Sequence, residues 1–304
     1  MNLKIFSILA VCVMSAIVDV PAVDRPVSDS VEELALPVLP KDMTNPVNRA
    51  DYLLAHFWDA MDFSDVSRGR DRGFMEQNLV NFFSVMPHAS AVGRQAGVDH
   101  LMQIASADVD AYKLILELAE HYLYESGSPM RDEEMFIPFL NVAVESAVLS
   151  ESERIRPHYL LEAALRNRIG TESADFDMKI RGGSTVGMHK FTSGKPTLLM
   201  FYDPECDHCA ATIEELRTDG TLNRLLGEGR INVLAVYPFG EEYVWLNDPM
   251  VKIPAGWTDA FADLSEVELY DFPEMPVLYL LDGSGTVLLK DASVDRILGA
   301  MQAL

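Results

Sequence analysis

Two residues in this 304-residue sequence have the type and spacing for covalent chemistry. Cys206 and Cys209 sit in the stretch Phe-Tyr-Asp-Pro-Glu-Cys-Asp-His-Cys at 201–209, with Asp207 and His208 between them. Two such thiols can bridge as a staple, ligate a metal, or exchange electrons. As a staple the pair is poor, because closing four residues constrains the unfolded chain by only about 2 kcal/mol, against about 3 for a fifteen-residue loop. As a structural zinc site it lacks ligands: four are needed, and the chain has no second Cys-x-x-Cys and no His-x-x-x-His. His208 could join the two sulfurs, and two thiolates alone suit cuprous ion. Redox exchange needs a thiolate at neutral pH. A strand ending at Tyr202, a turn through Asp203, Pro204 and Glu205, and a helix opening at Cys206 would provide one, since the unpaired N–H groups and the dipole at a helix start favour negative charge. Cys209, one turn in, would be more buried and placed to attack a mixed disulfide. A protonated His208 would favour the Cys206 thiolate, whereas Asp207 and Glu205 oppose it.

The elements that must position this pair are legible around it. Thr197–Tyr202, Ile231–Tyr237, Val277–Leu281 and Thr286–Leu289 are short apolar runs of strand-forming residues, the last two joined by the hairpin signal Asp282-Gly-Ser-Gly285. Helical patterns at 207–228 and 293–303 fill the gaps, which predicts an α/β domain with a central mixed sheet flanked by helices over 171–304. Upstream, 46–170 reads as all-helical, with helices expected at 50–58, 76–86, 92–105, 107–124, 132–149 and 155–168. Ser126-Gly-Ser-Pro129 breaks one helix, and Asp132 suits the N-cap of the next.

Composition bounds the setting. The net charge of −23, with no basic run, argues against nucleic acid as a partner. Lys4 precedes an apolar run, Ile5 to Val18, followed by Val20-Pro21-Ala22. That order is a secretory signal over 1–22, so the chain is expected in the periplasm. Residues 23–45 then form a flexible lead-in. Leu9-Ala-Val-Cys12 is loosely lipobox-like, which gives the alternative of a lipoprotein anchored at Cys12 and facing the periplasm. Removing the signal leaves only Cys206 and Cys209.

A strand, a Cys-x-x-Cys at a helix start, and a later strand entered through proline together resemble the thioredoxin fold. The chain is similar in particular to its exported TlpA/ResA-like branch in the AhpC/TSA superfamily. The matching stretches are Ala174-Asp-Phe176, Cys206-Asp-His-Cys209 and Glu274-Met-Pro-Val-Leu-Tyr-Leu-Leu-Asp-Gly283, within about 172–304. The helical part is similar to an uncharacterised domain carried by such proteins. The resemblance implies a thiol–disulfide oxidoreductase with Cys206 as attacking thiol and Cys209 as resolving thiol. Pro276 would be a cis-proline facing the pair, and Met275 a lining of the substrate groove together with Tyr202. It implies no cofactor beyond the redox-active Cys206–Cys209 disulfide. Its expected partners are client protein thiols or disulfides and a membrane or periplasmic redox partner. The chain departs from the family in two places: Glu205 replaces the tryptophan usual before the first cysteine, and Met200 stands where thioredoxins carry a buried acid. The branch suggests reduction, while His208 is shared with oxidants and isomerases, so the direction stays open between them.

Competing chemistries have less support. A peroxidase site needs Thr or Ser three residues before the nucleophile, and Asp203 is there. No Gly-x-Ser-x-Gly occurs for Ser/His/Asp hydrolysis. The alternative from another class is a non-catalytic binding module or a thiol-based copper carrier. Trp58, Trp245 and Trp257 are expected to pack; the role of the helical domain is unknown, with the docking of a partner or client as a hypothesis.

Overall fold

The computed structural model describes residues 33–125, 127–247 and 251–304, so the expected signal and Cys12 lie outside the described residues. The chain divides into two compact units, at Leu161/Glu162.

The first unit is helical: α1 (Pro46–His56), α2 (Val66–Gly69), α3 (Arg72–Val85), α4 (Ala91–Ala105), α5 (Val109–Leu123), α6 (Glu133–Val144) and α7 (Glu151–Leu165), the last reaching just past the boundary. Polar residues start these helices. Asn45, Asp71, Ser90, Asp108 and Asp132 each accept a backbone N–H of the first turn. Between the caps, aromatic residues fill the core: Trp58, Phe57, Phe82, Phe83 and Phe139 are all fully buried. α4 lies close on α1 because Gly97 has no side chain. A Cβ there would stand 2.8 Å from Leu54 Cβ. The expected lead-in is anchored at Leu34, whose N–H donates to buried Asn78 at 2.8 Å. That stretch is therefore not free at this point.

The second unit is a seven-stranded mixed sheet in the order β2-β1-β5-β4-β3-β6-β7. In chain order its elements are β1 (Asp177–Ile180), β2 (Thr185–Gly187), α8 (Met188–Thr192), β3 (Thr197–Phe201), α9 (Asp207–Thr218), α10 (Gly220–Gly227) and β4 (Asn232–Tyr237). α11 (Glu242–Asn247), β5 (Thr258–Phe261), β6 (Val277–Leu281), β7 (Val287–Leu289) and α12 (Val294–Met301) complete it. β3 and β4 run parallel, and β6 joins β3 antiparallel. β3 is buried along its whole length, as a central strand covered on both faces must be. The two-residue period of a strand sends Leu198, Met200 and Tyr202 to one core and Leu199 and Phe201 to the other.

The structure corrects the sequence expectations at several helices and adds three strands. α7 starts at Glu151 rather than 155, α6 ends at Val144 rather than 149, and α2, α8 and α11 have no counterpart among the expected helices. The single helix expected over 207–228 is two, because Asp219 leaves helical backbone and caps α10 by accepting the Leu222 N–H at 2.8 Å. β1, β2 and β5 have no counterpart in the sequence reading. They are short strands with mixed burial, and so lack the apolar run that marks β3 and β4, though β5 lies inside the sheet between β1 and β4.

Candidate active site

β3 and β4 end side by side, and the chain leaving β3 builds the site at their carboxyl ends, where open α/β sheets hold ligands. Tyr202 still pairs with β4, donating its N–H to Val236 O at 3.0 Å. The turn that follows closes on itself: Asp203 Oδ1 accepts the Glu205 N–H at 2.8 Å, and Asp203 O accepts the Cys206 N–H at 3.2 Å. Pro204 O accepts the N–H of Val251 at 2.9 Å. α9 then begins with Cys206 as its N-cap residue, in extended backbone.

Cys206 takes the place a serine or aspartate usually fills. Its sulfur accepts the backbone N–H of Cys209 at 3.1 Å, so it lies among the unpaired donors of the first turn. It is partly exposed, whereas Cys209 is fully buried among the Leu198, Met200, Tyr202 and Ile213 cluster. Both are free thiols. Burial pushes the Cys209 thiol far above the ordinary range, and its hydrogen bond to the Cys206 sulfur adds to this, while the Asp203 N–H acts the other way. Of the two sulfurs, Cys206 therefore meets solvent and Cys209 keeps its proton.

Across from Cys206 lies the segment before β6. The Met275–Pro276 peptide bond is cis, and Met275 O stands 3.8 Å from Cys206 Sγ, bridging 69 residues of sequence. Met275 packs against both core clusters. Cys206, Cys209, Met275 and Pro276 thus come together, with Tyr202 beneath. Glu205, Asp207 and His208 are exposed on the turn and first helical residues. Among the described residues no hydrogen bond joins His208 to either sulfur.

One group of residues gave no local sequence signal. Tyr202 Oη donates to Asp259 Oδ1 at 2.8 Å, and Trp245 Nε1 donates to the same oxygen at 2.7 Å. Arg181 Nε donates to Asp259 Oδ2 at 2.5 Å, and its guanidinium lies 4.4 Å from the Trp245 ring centre. Burial, and then the Asp259 charge, push the Tyr202 phenol well above its ordinary value, so it remains the donor. Trp245 therefore does more than pack: with Arg181 and Asp259 it fixes the residue from which the cysteine turn departs. Met200, in the position of the family's buried acid, is fully buried in the same cluster as Cys209. Among the described residues, no group of three or more His, Cys, Asp or Glu is placed to hold a metal ion.

Residues 21–167 match a family described as a domain of unknown function, DUF5106. A crystal structure of a thioredoxin-like protein from Bacteroides caccae is similar at 31% identity and a TM-score of 0.80, covering 90% of this chain and 99% of that one. The C-terminal domain of an uncharacterized protein from Bacteroides fragilis matches 45% of this chain and 98% of its own, at 30% identity and a TM-score of 0.42. The thioredoxin domain of a thiol-disulfide oxidoreductase from Bacteroides vulgatus matches 45% of this chain and 96% of its own, at 16% identity and a TM-score of 0.36. No curated protein matches the chain.

Proposed function

The chain belongs to the thioredoxin-like proteins, with a DUF5106 domain ahead of its α/β unit, and from that premise we propose that it is a thiol–disulfide oxidoreductase acting on protein disulfides in the reducing direction. The observation that carries the reading is the asymmetry of the pair. The Cys206 sulfur is partly exposed and receives a helix-terminal N–H at 3.1 Å, while Cys209 is buried one turn behind it. Such an arrangement suits sequential displacement. The Cys206 thiolate attacks one sulfur of a client disulfide, the client S–S bond breaks, and the departing client thiolate takes up a proton. Cys209 then loses its proton and attacks Cys206 Sγ. The mixed disulfide breaks, the second client thiol leaves, and the Cys206–Cys209 disulfide holds the oxidation. A dithiol donor protein must restore the pair for turnover, and this is the redox partner the reading requires. Clients and donor would meet it in the periplasm, for which the apolar N-terminal run argues. Among the described residues no helix is long and apolar enough to cross a membrane.

The experiment is insulin reduction by dithiothreitol with the wild type and the two single cysteine variants. Wild type should accelerate it, Cys206→Ala should not, and Cys209→Ala should accumulate a mixed disulfide seen on a non-reducing gel. Equal rates for all three overturn the reading. Retention of one cuprous ion through dialysis without any exchange would indicate a copper carrier instead. A measured potential nearer about −270 mV than about −120 mV supports reduction as the direction; the reverse overturns it.

A further inference from the structure

Three acid-bearing segments meet at the Cys206 turn, joined through Tyr202, Tyr237 and the Met275 carbonyl. The turn after β3 carries Asp203 and Glu205, with Asp207 opening α9. The loop after β4 folds over Tyr237, so closely that a Cβ on Gly240 would stand 2.1 Å from the Tyr237 hydroxyl, and Glu241 is the next residue. The segment before β6 carries Glu274 beside Met275, whose carbonyl faces the sulfur at 3.8 Å. Ring contacts tie the three together: Tyr202 to Tyr237 at 6.5 Å, Tyr237 to Phe239 at 5.9 Å, and Phe239 to Phe272 at 5.9 Å.

Unlike several carboxylates of the same unit, these have no cationic partner among the described residues, a property they share with Asp263 and Asp282. Glu214 pairs with Arg217, Glu228 with Arg224 and Arg230, Glu242 with Lys179, and Glu268 with Arg166. Among the described residues Glu205, Asp207, Glu241 and Glu274, all exposed, form no ion pair, and Asp203 accepts only from its own turn. Asp203, Glu205 and Glu241 converge closely enough that, after burial, their charges raise the Tyr237 phenol. Against these five acids the three segments set only His208, with Lys252 of a fourth segment following the residue bonded to Pro204 O. Among these segments Phe239, Phe272 and Met275 are only partly buried, so part of their apolar surface stays open. A cation there finds carboxylates at the edge and aromatic faces beneath.

We propose that this rim makes the Cys206 site select disulfides flanked by cationic groups, such as client segments with Lys or Arg beside the cysteine, and reject anionic ones. The proposal rests on the exchange chemistry above and names its substrate class. One-signed clefts raise the encounter rate of oppositely charged substrates by about tenfold or more, and salt removes the effect as the screening length shrinks.

The test mixes the fully reduced full chain with three small disulfides: cystamine, hydroxyethyl disulfide and dithiodipropionate. Each oxidises the pair by the same balanced steps. Cys206 displaces one small thiolate, Cys209 displaces the other, and two small thiols leave as the protein disulfide forms. Rates are normalised to those of each disulfide with a small neutral thiol. At low ionic strength the normalised preference for cystamine over dithiodipropionate should be about tenfold or more. It should shrink several-fold in about 0.5 M salt, and in the Glu205→Gln/Glu241→Gln/Glu274→Gln variant. A preference near unity, or one that neither salt nor the variant changes, overturns the selection. A pair inert to all three disulfides, the neutral one included, removes the exchange chemistry itself. Reaction with the neutral disulfide without discrimination by charge sinks the selection alone.

Discussion

Asp259→Ala should destabilise the α/β unit far more than a lost surface carboxylate would. The substitution strips the acceptor shared by Tyr202 Oη and Trp245 Nε1 and the partner of Arg181 Nε. Tyr202 and Trp245 are both fully buried, so neither donor can turn to water, and each unsatisfied donor costs about 1–3 kcal/mol. The Arg181 side chain is 34% exposed, which lets water replace its partner and holds that loss to about 1 kcal/mol or less. The sum centres near 4–5 kcal/mol. With a urea dependence of about 2 kcal/mol per molar, the midpoint falls by about 2 M. Asp259→Asn keeps an acceptor for the two buried donors and gives up only the charge toward Arg181, so it should cost about 1 kcal/mol. Cys209 supplies a reporter specific to this unit, because it is fully buried until the sheet opens. With Cys206 alkylated first under native conditions, pulse labelling of Cys209 across a urea series reads the opening. Tyr202→Phe completes a cycle and should couple to Asp259→Ala by about 1 kcal/mol or more. If the alanine variant moves the midpoint no further than the asparagine variant, Asp259 does not hold the turn's foundation as argued.

Two further perturbations follow from burial. The folded-state pKa of Cys209 is raised above its unfolded value by desolvation, so the folded chain keeps a proton that the unfolded chain releases. Stability of the reduced protein is therefore complete below about pH 8.5 and falls by about 1.4 kcal/mol per unit above it. Beyond about pH 10 the slope should steepen as Tyr202 and Tyr270, both raised by burial, join it. Urea midpoints across that range check this, and the first slope should vanish in Cys209→Ala; a reduced wild type with a flat profile would refute it. Gly97→Ala should destabilise the helical unit by about 1–3 kcal/mol, because the new methyl would meet Leu54 Cβ at 2.8 Å and its backbone carbonyl carbon at 3.1 Å. Gly299→Ala, where nothing lies within 4 Å, should instead raise stability by up to about 1 kcal/mol. Thermal unfolding by circular dichroism separates the two outcomes.

What could be read from the sequence divides by distance along the chain. The helix start at Cys206, the cap at Asp132 and the hairpin at 282–285 are each written within a few residues, and local rules suffice for them. β3, β4 and β6 are legible because both faces are covered, which makes them continuous apolar runs. β1 and β5 alternate burial with exposed or polar positions, so no run announces them. The start of α7 is signalled locally, since Ser150 donates its N–H to Glu153 Oε2 at 2.8 Å, one half of a capping box, whereas the apolar period alone puts the start at 155. The split at Asp219 was also written locally, as an aspartate followed by glycine inside a helical pattern. The apolar spacing on either side hid it.

The Asp259 network belongs to the other kind, since its members lie 14 to 78 residues apart and none is unusual in its own surroundings. Its existence bears on the departure at Met200. The resemblance places a buried acid there to accept the proton of the proposed resolving cysteine, and Asp259 at first sight could stand in. The hydrogen bonds argue otherwise. Its carboxylate is already committed to a phenol, an indole and a guanidinium, and protonating it would weaken all three contacts. Met200 offers no acceptor. The groups that reach Cys209 are the Cys206 sulfur and Asp203, whose backbone N–H and charge both act on it. On the proposed exchange, the Cys209 proton would leave on the side of Cys206 and Asp203, while the network beneath holds Tyr202 and the turn in place.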